Sequence, residues 1–116
     1  MKLNLGSMEY EIILKNPIEE FELEKEKENK DEDHVYAGLI VPYDADLYIS
    51  PEYEAQVKAQ SFWHEVMHGV MDEIGRQDLY NDEGLIEAIA KQIYSILKNN
   101  DMRKIYEYLG AEKCLK

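Results

Sequence analysis

The chain has 116 residues, enough for one domain and too few for two. Hydrophobic residues make up 45%, which is compatible with a small packed core. The net charge is -12, from 25 acidic and 13 basic residues; such a surface repels phosphate backbones and anionic lipid, which argues against nucleic-acid binding.

No apolar run approaches the roughly 20 residues that a membrane span requires. The first eight residues (MKLNLGSM) lack the apolar centre of a secretory signal. Cys114 is the only cysteine, so no internal disulfide can form, and the cytoplasm is the expected compartment. Cys114 itself reads as a tail residue without a role.

Taken in chain order, residues 9–14 (EYEIIL) read as a first strand, rich in β-branched and aromatic side chains. Asn16-Pro17 ends it. Residues 19–33 (EEFELEKEKENKDED) form a dense charged run, read as a mobile, solvated loop. Residues 35–41 (VYAGLIV) and 46–50 (DLYIS) read as two further strands, with the turn Pro42-Tyr43-Asp44-Ala45 between them.

A long helix is expected over 51–74. Ser50 would cap it, Pro51 suits its first position, and Glu52 favours the positive end of the helix dipole. Val57, Val66, Val70 and Ile74 recur at helical spacing, and Gly75 is a natural stop. Residues 76–80 connect to a second helix, capped by Asn81 or Asp82 and running to about Lys98. Its apolar stripe is Ile86, Ile89, Ala90, Ile93 and Leu97. Residues 101–109 form a short third helix closed by Gly110. Strands first and helices later predict one α+β domain over 1–116, with a small antiparallel or mixed sheet packed on a long helix pair.

Within the first helix, residues 64–68 spell His-Glu-Val-Met-His. Side chains four apart share a helix face, so His64 and His68 can reach one metal ion. Glu65 points about 100° away, where its carboxylate could meet a metal-bound water. The bland alternative is a helix that happens to carry two histidines. Against it, this is the most apolar helix of a charged chain, and burying two imidazoles is costly unless each finds a partner.

A catalytic zinc usually takes three protein ligands and keeps one position open. No histidine follows His68. Met71 and Ile74 stand where a metzincin would have Gly and His, which excludes that class. His34 precedes the motif and matches no familiar arrangement. Carboxylates remain. Glu87 lies on the flank of the second helix's apolar stripe and is the leading third ligand; Ala88 and Ala90 would let that helix approach closely. Glu83, one turn earlier, is the runner-up ligand or an orienting partner. Asp72, one turn beyond His68, could accept an N–H from it.

His64-Glu65-x-x-His68 followed by Glu87 on a second helix resembles the gluzincin arrangement of zinc metallopeptidases. Tyr48-Ile49-Ser50, then SFWHEVMHGVMDEIG and NDEGLIEAIAKQIYSILKNN, more closely resembles small zincins encoded by phages and mobile elements, of the ImmA/IrrE and SprT-like kind. The resemblance covers about residues 35–100. It departs from the ImmA/IrrE pattern at Ala88-Ile89-Ala90, where that group usually has Ala-Asn, and no DNA-binding domain accompanies it.

The resemblance implies a Zn2+ cofactor and peptide-bond hydrolysis on a specific intracellular protein. Glu65 would take a proton from water and deliver it to the leaving amine. Tyr48, Tyr80 and Tyr94 are candidate donors to the oxyanion. If the strand at 46–50 is a sheet edge, an extended peptide could pair with it across the metal. The competing reading is an inactive zincin-fold binding module. Oligomeric state is not legible.

Overall fold

Apart from one short helix after the second strand, strands come first along the chain and helices follow, and the two layers meet face to face. The computed structural model describes residues 1–21 and 37–115. Segment 22–36 lies outside the described residues; it takes in His34, most of the charged run at 19–33 and the start of the strand expected at 35–41.

The sheet holds β1 (Lys2–Leu5), β2 (Met8–Leu14), β3 (Gly38–Val41) and β4 (Asp46–Ile49) in the order β1-β2-β4-β3. β1 pairs with β2 and β3 with β4 in antiparallel fashion, whereas β2 and β4 are parallel, so the sheet is mixed. α1 (Pro17–Phe21) follows β2, and Asn16 starts it by accepting a hydrogen bond from the Ile18 amide at 2.9 Å. The first part of the expected charged loop is therefore helical. The later helices are α2 (Ala55–Glu73), α3 (Gln77–Tyr80), α4 (Glu83–Asn99) and α5 (Met102–Tyr108), ahead of a 3-10 turn at Glu112–Cys114.

Tyr10, Ile40, Leu47 and Ile49 from the sheet pack with Val66, Met67 and Met71 of α2 and with Ile86 and Ala90 of α4. Leu47 and Ile86 are both 0% exposed, and removing each from water contributes about 1.5–3 kcal/mol. Gly69 sets how closely α2 approaches the sheet. A Cβ there would lie 2.9 Å from both Ile40 Cδ1 and Leu5 Cδ1, closer than packed carbons tolerate.

Three expectations need correction. Residues 2–5 form a strand that the sequence pattern did not reveal. Its few alternating residues are too short a signal, and its pairing with β2 comes from the turn at Gly6-Ser7. The long helix begins at Ala55, not at Pro51. Ser50 is fully buried, and its Oγ accepts only a long bond from the Glu52 amide at 3.4 Å, so it shapes a turn; Glu54 is the N-cap. Finally, β4 is not an edge. It lies between β2 and β3, and its backbone pairs on both sides, so no peptide can add to it.

The helix ends follow local chemistry. The amides of Gly75 and Arg76 donate to the carbonyls of Asp72 and Met71 at 3.0 and 2.9 Å, with Gly75 at φ 77. Asp82 caps α4 through the Leu85 amide at 3.1 Å, and Asp101 caps α5 through Lys104 at 3.2 Å. No helix among the described residues is long and apolar enough to cross a membrane.

Candidate metal centre

α2 lies across the sheet with His68 and Glu65 on its buried side and His64 at the rim. α4 packs beside α2 and projects Glu83 and Glu87 over that rim. The turn after Gly75, together with α3, brings the start of α4 back alongside His68.

Three ligand atoms converge. His64 Nε2 and His68 Nε2 are 3.3 Å apart, and Glu83 Oε1 lies 3.0 Å from the first and 3.3 Å from the second. The second Glu83 oxygen is 3.1 Å from His68 Nε2. In a tetrahedron the ligand–ligand edge is about 1.63 times the ligand–centre distance. Edges of 3.0 to 3.3 Å correspond to a centre about 1.8–2.0 Å from each atom, slightly tighter than the roughly 2.0–2.2 Å of zinc–nitrogen and zinc–carboxylate bonds. His64, His68 and Glu83 form a group able to hold a metal ion.

Proton counting agrees. A neutral imidazole has a single N–H. His64 Nδ1 is 2.6 Å from Glu87 Oε1, and the tautomer with its proton on Nδ1 donates to that oxygen and turns the Nε2 lone pair to the cluster. With both Nε2 atoms unprotonated, three electron-rich atoms face one point, an arrangement that a cation satisfies at once.

The two acids of α4 stand differently toward the histidines. Glu83, the runner-up, meets both Nε2 atoms. Glu87 instead meets the far nitrogen of His64, and Lys91 Nζ stands 3.5 Å from its other oxygen. That is the place of a partner that fixes the ring's tautomer and orientation. Asp72 does not reach His68. Its carboxylate accepts from the Gln77 side chain at 3.0 Å, because the turn beyond Gly75 folds that amide back onto it. Among the described residues the buried His68 Nδ1 has no hydrogen-bond partner. The Tyr80 ring packs edge-on against the imidazole, with centroids 4.9 Å apart.

Glu65 is the buried acid of the site, at 8% exposure. One of its oxygens accepts a hydrogen bond from the Ile40 amide at 3.0 Å. β3 is an edge strand. Its Ala37 carbonyl bonds to Ser50, and the alternation that follows turns the Ile40 amide away from β4 and toward α2. Gly38 leaves room for the side chain: a Cβ there would stand 3.1 Å from Glu65 Cγ. Burial pushes the Glu65 carboxyl up to about 7, with His64 and the Ile40 amide pulling against that rise and the Glu83 charge adding to it. Nothing in the sequence pattern signalled the Ile40 contact, since it joins a strand backbone to a helix side chain 25 residues away.

Of the three tyrosines considered as donors, Tyr80 stands at the centre. Burial first, then the negative charges of Glu65, Asp72 and Glu83, raise its phenol above the ordinary value. Tyr48 is buried in β4, and the Tyr94 ring lies under the Lys98 ammonium, 5.7 Å from its centroid. Comparison with known proteins adds nothing to this geometry: no protein-family profile, curated protein or solved structure matches the chain significantly.

Proposed function

We propose that the chain is a zinc-dependent peptidase, with His64, His68 and Glu83 as the metal ligands, Glu87 orienting His64, and Glu65 as general base. The observation that carries this reading is the convergence of two imidazole nitrogens and a carboxylate oxygen within 3.3 Å, one helix position from a buried carboxyl. The donor set suits zinc, which prefers nitrogen and carboxylate ligands in tetrahedral array. Bound zinc supplies Lewis acidity, which acidifies water and polarises a scissile carbonyl.

The chain's own residues do the rest. Glu65 takes a proton from the attacking water as its oxygen bonds to the carbonyl carbon. It returns that proton to the leaving nitrogen as the C–N bond breaks. The Ile40 amide holds one Glu65 oxygen and leaves the other to carry the proton. Tyr80, with its hydroxyl protonated at neutral pH, is the donor best placed to meet the developing oxyanion. The substrate is a peptide or protein, and the lone Cys114 fits a reducing, cytoplasmic setting.

One observation favours the other reading, a metal-holding binding module: the Glu65 carboxylate is engaged by the Ile40 amide. Glu65→Gln separates the two. For a peptidase, the variant keeps its zinc and loses hydrolysis by about a thousandfold or more; for a binding module, function is untouched. The assay is cleavage of a mixed peptide library read by mass spectrometry. A zinc-loaded wild-type protein that cleaves no peptide would remove the enzymatic reading.

A further inference from the structure

Glu83, Glu87 and Lys91 follow one another at intervals of four along α4 and so stack on one face of it. Like charges one turn apart repel, and a cation one turn further on offsets that repulsion; glutamate ahead of lysine is the favourable order along a helix. The two acids differ in how they are held. Glu83 Oε1 stands 3.0 and 3.3 Å from the Nε2 atoms of His64 and His68, and its Oε2 stands 3.1 Å from His68 Nε2, so the histidines engage both of its oxygens. Glu87 meets a single nitrogen: Oε1 lies 2.6 Å from His64 Nδ1, while Oε2 lies 3.5 Å from Lys91 Nζ. A carboxylate with one anchor turns about its own side-chain bonds, and a second anchor on the other oxygen restricts that turning. Among the described residues Lys91 is the one lysine or arginine paired with either acid.

We infer that Lys91 is a positioning residue of the metal centre. It holds the Glu87 carboxylate against the far nitrogen of His64, and Glu87 in turn sets the ring orientation that presents Nε2 to the metal. The inference rests on the metal-binding half of the proposed function and not on hydrolysis. Lys91 also has an opposing influence, because its ammonium is a positive charge near a site that takes a cation. The two effects have opposite signs. If Lys91 acted only as a nearby charge, its removal would tighten zinc binding whether or not Glu87 were present. Acting through Glu87, it strengthens zinc binding, and only while Glu87 keeps its carboxylate. Geometry favours the second effect. The ammonium pairs with Glu87 and with no oxygen of Glu83, the acid at the metal position. Water reaches both partners, whose side chains are 62% and 48% exposed, and it screens a longer interaction more than the contact itself. That exposure also keeps the contribution of the pair small.

The test is a double-mutant cycle read as zinc affinity, by competition of the full chain with a chromophoric chelator at low and at high salt. Lys91→Met, which keeps most of the stem and removes the charge, should weaken zinc binding about threefold at low salt. Lys91→Arg should restore the parent affinity, and high salt should shrink the difference between parent and Lys91→Met. In a Glu87→Gln background the same Lys91→Met change should cause no loss. The urea midpoint of the metal-free protein should be the same with and without the substitution. A Lys91→Met protein that binds zinc as well as the parent or better would overturn the inference. So would an equal loss in the Glu87→Gln background, or a lowered urea midpoint that accounts for the loss. Zinc uptake that needs His64 and His68 but ignores Lys91 removes this inference and leaves the metal centre standing, whereas a parent chain that takes up no zinc removes both.

Discussion

His68 and Glu65 face the sheet, whereas Glu83 and Glu87 face out. The first pair is 6% and 8% exposed and is fixed by packing: Tyr80 lies against one ring, and the Ile40 amide holds the other carboxylate. The second pair has side chains 67% and 48% exposed and is held mainly by the histidines themselves. The inner half of the site is therefore built by the fold before any metal arrives. The outer half consists of exposed acids, so their removal should cost metal affinity and little stability. Changes at the inner residues should register in stability, and at His68 in metal binding as well.

The largest effect expected on the outer side is that of Glu83→Gln, which should weaken zinc binding about 100-fold or more while leaving the urea midpoint of the metal-free protein almost unchanged. Competition with a chromophoric chelator measures it. Glu87→Gln should cost only about tenfold, because it removes an orienting partner and not a ligand. If Glu87→Gln proved the more damaging of the two, the assignments of the acids would be exchanged.

On the inner side, Glu65→Gln should stabilise the chelated protein by roughly 2–3 kcal/mol at pH 8, since it removes a buried charge and keeps an acceptor for the Ile40 amide. The sign follows from the raised carboxyl. The folded protein holds a proton up to about 7, and the unfolded chain releases it near 4.5, so wild-type stability from this group falls as pH rises between those values. The advantage of the variant should fade as pH drops through that window and vanish below it. Urea unfolding across pH tests this; a constant difference from pH 4 to 8 would show that Glu65 is not a buried acid. Smallest is Asp82→Ala, expected to cost about 1 kcal/mol by uncapping α4.

The same division marks what could be read in the sequence. The pair His64 and His68 was legible because helical period alone puts them on one face. The Gly75 stop and a cap at Asn81 or Asp82 were legible because helix ends are local. The ranking of Glu87 ahead of Glu83 had little support in the helical period. Four residues apart on a helix, they differ by only about 40° in direction, so the wheel cannot rank them. Their ranking depends on the register of α4 against α2, which the turn from Gly75 to Asp82 sets in three dimensions. The Ile40 contact and the internal position of β4 were hidden for the same reason: both depend on which strands pair, and pairing between distant segments leaves no local trace. Asp72 misled because helix spacing offered it to His68 while Gln77, beyond a turn, took it.

The most direct test of the metal centre is a zinc titration of the purified chain followed by native mass spectrometry, with His64→Ala and His68→Ala alongside. The expected result is one zinc per wild-type chain, removed by chelation and absent from both variants. A wild-type chain that takes up no stoichiometric zinc, or variants that bind it as well as the parent, would contradict the assignment.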